Sequence, residues 1–390
     1  MKGFTTPGKP VDVAKVFPEL AGLARTTVRL HPWQDAVTVR DSSLGGPLLW
    51  PADEAWPVCT VDHPDSRPLP SAEGKRLQRR QEEIRAEKNE YPYLGPHPLD
   101  EEFARLETSI RELRRVDFAD DPAAALPMAP IAQFYRRDIP ELPFPDGTDV
   151  CQVLWCPTDH EPHYGPRPLV RWRDSSSVTE VRAAPEPDLG LGDEESLPSP
   201  CRIWPERVTE FPHWDDLPSA RLRARIEEWE KGKDWTYYEH LSVAPGSKVG
   251  GWIGWVQYPE WPECERGHRM DHLLTVSSAE SAGGGWETWM PLEEQAAATF
   301  VKRVEFALVD GVTTSREIGL DEEFDTTAAY RTFSGTTAAV APETVKERVI
   351  PADRSGAGRL DLMLGDVGDV YVFVCAVCPD RPTGVEFQCH

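Results

Sequence analysis

The chain has 390 residues, of which 66 are acidic and 42 basic, for a net charge of −24; this argues against broad nucleic-acid binding, because phosphate rewards the opposite sign. Hydrophobic residues make up 39% of the chain, enough for a packed core and against wholesale disorder. The 38 prolines argue against a helical bundle, since proline at that density interrupts helices and central strands and leaves short strands and long ordered loops.

In chain order, residues 1–35 read as an N-terminal extension. Met1 to Pro7 lacks the apolar core of a signal peptide, and no later run approaches the roughly 18 apolar residues of a membrane span. The expectation is a cytoplasmic protein without a membrane partner. A first β-rich segment, 36–180, opens on Gly45-Gly46-Pro47-Leu48-Leu49-Trp50. The paired glycines predict a tight turn with positive φ rather than a phosphate cradle. A helical insertion follows at about 68–120. Gly74 to Lys88 is charged enough to be either a solvated helix or a linker, whereas Phe103, Leu106, Ile110 and Leu113 have the spacing of one helix face. The segment closes with the β-branched and aromatic run Asp149 to Cys156, a buried strand.

Residues 181–239 read as an acidic and helical connector. It holds Glu186, Asp188, Asp193, Glu194 and Glu195 among Pro and Gly, which marks a domain boundary, and then a helix from Ser219 with Leu222, Ile226 and Trp229 on one side. A second β-rich segment, 240–390, carries its own insertion at about 277–362.

The two β-rich segments repeat one another. Gly45-Gly46, Trp50, Trp56-Pro57 and Cys59 recur as Gly250-Gly251, Trp255, Trp261-Pro262 and Cys264 at a single offset of 205, and two of these types, Trp and Cys, are scarce. Met128 with Ile131, Ala132 and Phe134 is matched by Met270 with Leu273, Leu274 and Val276. The run Asp149 to Cys156 is matched by Asp369 to Cys375, one residue out of register at the cysteine. The fold class expected is therefore α+β, mostly β: an internally duplicated β-rich module with helical insertions. Repeated tryptophans read as core. The unrepeated Trp204, Trp214, Trp229, Trp235, Trp286 and Trp289 read as candidates for a contact surface.

Eight cysteines in 390 residues are too dilute for a secreted disulfide scaffold, and in a reducing compartment they point to thiols or metal ligands. Cys375-x2-Cys378 at a strand end forms half of a tetrahedral zinc site, because such a turn aims both sulfurs at one centre. Cys264 supplies a third ligand through the repeat, and His268 or Cys389 a fourth. Four protein ligands leave no open position, so the zinc would be structural. A possible second site is Cys156 with His160 and His163, partnered by Cys59. No Gly-x-Ser-x-Gly, His-Glu-x2-His, Walker or dinucleotide fingerprint is present, and no catalytic residue is assigned.

Leu44 to Pro51, Pro127 to Phe134 and Gly250 to Gln257 resemble the YwqG-like family of bacterial proteins of unknown function. The Pro-x-Cys264 corner, the Met270 strand and Tyr371 to Cys375 are also similar to the eukaryotic programmed cell death protein 2 group. That resemblance implies a duplicated β-rich fold, a half metal knuckle at the Cys264 corner, and roles as a chaperone of a ribosomal protein or as a member of toxin and immunity loci. Here Glu265-Arg266-Gly267-His268 follows Cys264, so the second cysteine of that knuckle is missing. The function expected is a non-enzymatic protein-binding module, chaperone-like or of toxin-immunity type, whose acidic surface meets a basic protein client. The alternative is a zinc-dependent enzyme acting on RNA or another small-molecule or polymer substrate, although the charge makes nucleic acid a poor partner.

Overall fold

A computed structural model describes residues 3–59, 71–90, 97–117, 126–160, 165–185, 196–280, 285–295, 300–307, 313–318, 330–331, 337–338, 345–351 and 360–389. The acidic run 186–195 and His163 lie outside them. The strands in chain order are β1 (Arg25–Arg29), β2 (Trp33–Gln34), β3 (Ser43–Leu44), β4 (Val58–Cys59), β5 (Leu126–Pro127), β6 (Ala129–Tyr135), β7 (Val150–His160), β8 (Gly165–Arg173), β9 (Cys201–Arg202) and β10 (Glu206–Glu210). They continue with β11 (Lys248–Gly250), β12 (Asp271–Ser277), β13 (Phe300–Ala307), β14 (Thr313–Ile318), β15 (Tyr330–Arg331), β16 (Thr337–Ala338), β17 (Val345–Pro351), β18 (Asp369–Val374) and β19 (Thr383–Gln388). The fold is mixed α+β and strand-dominated.

The chain divides into two compact units, one of Met1–His31, Trp204–Pro259 and Ala279–Arg359, the other of Pro32–Ile203, Glu260–Ser278 and Leu360–His390. In the first unit β1 pairs antiparallel with β10 on one side and β11 on the other. The helix Ala220–Glu230 starts where Ser219 Oγ accepts from the Leu222 N–H at 3.2 Å, the N-cap arrangement that satisfies an otherwise orphaned donor. Its apolar side, Leu222 and Ile226, packs with Val13, Phe17, Leu20, Phe211, Tyr237 and Leu241. A fully buried ion pair, Lys248 Nζ to Glu210 Oε1 at 2.6 Å, lies beside this core. Glu210 also accepts from the Ala244 and Trp252 N–H groups, which is the partnering a buried carboxylate requires. The second insertion contributes β13 with β14 and β17 beside it, and the β15–β16 pair. These strands were not anticipated.

In the second unit a six-stranded antiparallel sheet runs β2-β9-β3-β6-β7-β8, β4 pairs with β5, and β18 lies between β12 and β19. The first insertion is helical, Ala72–Glu90 and Asp100–Asp117. Ser71 Oγ accepts from the Gly74 N–H and Asp100 Oδ2 from the His97 N–H, so side chains cap both starts. The charged run therefore forms a helix rather than a linker. It pairs with its neighbour through Arg80–Glu102 and Lys88–Asp100, while Ile110 is buried and Phe103, Leu106 and Leu113 are half-buried, as the 3-4-3 spacing requires.

The duplication is visible in backbone detail. β6 pairs with β7, and β12 with β18, each antiparallel and each broken by a register shift, between Pro130 and Ala132 in one copy and between His272 and Leu274 in the other. These are equivalent positions, so one β-bulge has been kept twice. At the corner before each pair, the Met128 N–H donates to Pro57 O at 3.0 Å and the Met270 N–H to Pro262 O at 2.9 Å. Ala129 faces Trp155 as Asp271 faces Val374; the cysteines Cys156 and Cys375 are therefore the equivalent residues, and the one-residue slip falls at the aspartates. β8 packs against β19, where a methyl group on Gly165 would lie 2.4 Å from the Phe387 Cβ.

Gly45 and Gly250 share the same left-handed conformation, φ +65° and +66°, and Gly251 follows at +75°, as a tight turn demands. Gly46 is different: its φ is not positive, and its lack of a side chain answers to space, since a Cβ would meet Ser43 Oγ at 2.6 Å. Trp50 and Trp255 are both fully buried. Among the described side chains, none of the unrepeated tryptophans is exposed. Trp289 is buried, and Trp214, Trp229 and Trp235 pack partly buried on the first unit's core. Among the described residues the exposed aromatics are Tyr258 and Tyr238. Among the described residues, no helix is long and apolar enough to cross a membrane.

Candidate metal centre

Two tight turns in the second unit build the centre. The first is the hairpin Cys264-Glu265-Arg266-Gly267-His268. The Cys264 N–H donates to His268 O at 2.9 Å and the Gly267 N–H to Cys264 O at 2.7 Å, with Gly267 in the left-handed region at φ +74°. A bridge between Glu263 and Arg269 closes its base. Residues 264 and 268 thus stand across the turn from each other on one side.

The second turn joins β18 to β19. The Cys375 N–H donates to Pro382 O and the Arg381 N–H to Cys378 O, both at 3.0 Å, so Cys375 and Cys378 point to the same centre. A bidentate ion pair ties the turns together, Arg266 Nη1 and Nη2 to the two Asp380 oxygens at 2.5 and 3.1 Å.

Between the turns the four side chains converge. Cys264 Sγ lies 3.8 Å from Cys378 Sγ, and His268 Nδ1 lies 3.6, 3.3 and 3.8 Å from the sulfurs of Cys264, Cys378 and Cys375. All four donor atoms fall within 4.8 Å of one another, and the group could hold a metal ion. All three cysteines are buried. Burial pushes the Cys264 thiol up, but backbone hydrogen bonds at His268 and Arg266 and those from the other two thiols outweigh it and bring it down to about 7. A thiolate, the form that binds metal, is then accessible at neutral pH. For Cys378 the Arg266 guanidinium acts downward, yet burial and the neighbouring sulfurs prevail and raise it. Crowded sulfurs that resist sharing a second negative charge are what a dication relieves.

Of the two candidates for the fourth ligand, the structure brings His268 to the centre and leaves Cys389 apart. Cys389 follows Gln388, which pairs with Asp369 at the start of β18, whereas Cys375 follows Val374 at its other end. A strand of six residues separates those ends by roughly 20 Å. Cys389 packs instead beside Gly365 and Gly368.

A smaller group lies at the equivalent place in the first copy. Cys59, Cys156 and His160 have donor atoms within 4.8 Å of one another and could also hold a metal ion. Cys59 Sγ is 3.4 Å from His160 Nε2, and His160 Nδ1 is 3.3 Å from Gly165 O. A hydrogen bond in which the Cys156 thiol donates to the Cys59 sulfur, together with burial, pushes Cys156 up, while Thr158 Oγ1 at 3.1 Å opposes them.

The supporting residues were not legible in the sequence. Arg266, Asp380, Thr158 and Gly165 contribute no ligand spacing and become visible only once the turns face each other. No family model matches the chain, and no curated protein matches it.

Proposed function

We propose that this chain is a zinc-stapled, non-enzymatic binding module whose acidic surface receives a basic protein client, in the manner of a dedicated chaperone or a toxin-immunity protein. The observation that carries the reading is the closed donor set of Cys264, His268, Cys375 and Cys378. Tetrahedral zinc with Zn–S of about 2.3 Å and Zn–N of about 2.0 Å needs sulfurs about 3.8 Å apart and sulfur to nitrogen about 3.6 Å. The separations of 3.8 Å between the Cys264 and Cys378 sulfurs and of 3.3 to 3.8 Å to nitrogen meet that requirement. Three thiolates and an imidazole favour zinc over the hard cations. Bound there, zinc would supply a fixed cross-link between the two turns. With all four positions taken by protein, its role is structural.

The client's chemistry follows from charge. Among the described residues only Glu210 and Glu386 are buried carboxylates, so the other described carboxylates are at least partly solvent-facing. Such a surface attracts a cationic partner and makes the encounter salt-dependent. The resemblance to the YwqG-like and programmed cell death protein 2 groups supports the same reading.

Affinity capture at low salt, followed by salt titration, tests it. The expected result is a captured protein rich in Lys and Arg whose binding falls steeply with ionic strength. Capture of nucleic acid alone, or binding indifferent to salt, contradicts it. The enzyme reading would draw on the group of the first copy, which has three donors among the described residues. It requires a hydrolase or nuclease activity that disappears on changing His160.

A further inference from the structure

We propose that the first copy holds a second zinc ion, bound by Cys59, Cys156 and His160, so that the chain carries two zinc ions rather than one. Three independent features of the fold lead there. The β-bulge and the corner hydrogen bond are preserved in both copies, which puts Cys59 and Cys156 at the backbone positions of Cys264 and Cys375. His160, four residues beyond Cys156, stands where Cys378 stands three beyond Cys375. The two clusters are one inherited site with a sulfur exchanged for an imidazole.

The second feature is the orientation of that imidazole. A histidine that binds zinc through one ring nitrogen generally donates the other N–H to a carbonyl, carboxylate or water, which fixes tautomer and ring direction. His160 Nδ1 lies 3.3 Å from the Gly165 carbonyl across the end of the β7–β8 hairpin. Nε2, the nitrogen this leaves with a lone pair, is the atom 3.4 Å from Cys59 Sγ.

The third feature is the sulfur environment. Cys59 and Cys156 are buried, and Thr158 Oγ1 is 3.1 Å from Cys156 Sγ, placed to donate to a thiolate. When zinc binds, both thiols release their protons to solvent and the dication balances the two buried charges. With two thiolates against three, the ion of the first copy is the more labile of the two.

The test is zinc content of the full-length protein, purified without chelator and measured by plasma mass spectrometry, for the unaltered chain and for Cys156→Ser, His160→Asn and Cys375→Ser. Expected are two equivalents in the unaltered protein, one in Cys156→Ser and His160→Asn, and one in Cys375→Ser. One equivalent in the unaltered protein, unchanged in Cys156→Ser and His160→Asn and lost in Cys375→Ser, overturns the second ion while leaving the first site intact. Loss in the Cys156 and His160 variants with none in Cys375→Ser does the reverse. Should the buried Cys156→Ser variant fail to fold, chelator titration of the unaltered protein decides: release in two phases of one ion each supports the proposal, and a single phase of one ion overturns it.

Discussion

The two copies share a backbone and differ in the chemistry mounted on it. Both have the left-handed glycine after a short strand, the Pro-x-Cys corner, the bulge and a cysteine closing the long strand. The second copy gathers three sulfurs and a nitrogen and clamps them from outside with Arg266–Asp380. The first gathers two sulfurs and a nitrogen and holds its histidine with a backbone carbonyl. Elsewhere the first copy has Ser43 where the second buries Lys248, and Arg171 where the second buries Glu386. Backbone geometry tolerated the duplication unchanged because bulges and tight turns are set by hydrogen bonding and φ.

The contrast can be broken most forcefully at the metal. Cys375→Ser should lose one zinc and destabilise the second unit by about 5 kcal/mol, roughly 10 to 20 °C in Tm. Cys201→Ser, at a buried cysteine outside both clusters, should keep the metal and shift Tm by no more than a few degrees. Calorimetry with parallel zinc analysis checks both.

Next in size is the buried ion pair. Lys248→Met leaves Glu210 charged and buried with only backbone donors and should cost about 3 to 5 kcal/mol by denaturant unfolding. Ser43→Ala at the equivalent position of the first copy should cost less than about 1 kcal/mol.

The turn glycines sharpen the comparison further, because they share φ and differ in surroundings. A Cβ on Gly45 would lie 2.3 Å from Pro198 O and 2.5 Å from Ser199 O, whereas one on Gly250 has nothing nearer than Thr26 O at 4.0 Å. Gly250→Ala should cost the left-handed strain alone, about 1 kcal/mol, and Gly45→Ala about 3 kcal/mol or more. Equal losses would mean that strain, not space, governs both turns.

The smallest effect is a matter of pH. Burial, then the charge of Glu260 and a hydrogen bond with it, push Glu386 from 4.5 up to about 7. The folded state therefore holds this proton more tightly than the unfolded state does. Its stabilising contribution is complete below about pH 4.5 and declines as pH rises through about 7. Glu386→Gln should flatten that part of the stability profile and leave the protein more stable than the parent at pH 8. An unchanged profile would mean that the carboxyl is not held protonated.

Much of this was legible before any coordinates. Gly45, Trp50 and Cys59 announced their partners because a tight turn, a core aromatic and a corner each restrict the residue strictly. The faces of Phe103 to Leu113 and Leu222 to Trp229 followed from helical period. His268 could not be separated from Cys389, since the distinction depends on which end of a hairpin each occupies. Position in an insertion does not decide whether a tryptophan is exposed, because a large ring can pack inward as readily as outward: Trp289 is buried, and Trp204, Trp214, Trp229 and Trp235 are half-buried. The strands β13 to β17 escaped notice because their sequences lack a repeat partner.

The most direct test of the central claim is zinc K-edge absorption of the Cys156→Ser variant, in which only the Cys264, His268, Cys375 and Cys378 centre remains. A shell of three sulfurs at about 2.3 Å and one nitrogen at about 2.0 Å is predicted. Zinc well below one equivalent per chain, or a shell of nitrogen and oxygen without sulfur, would contradict it.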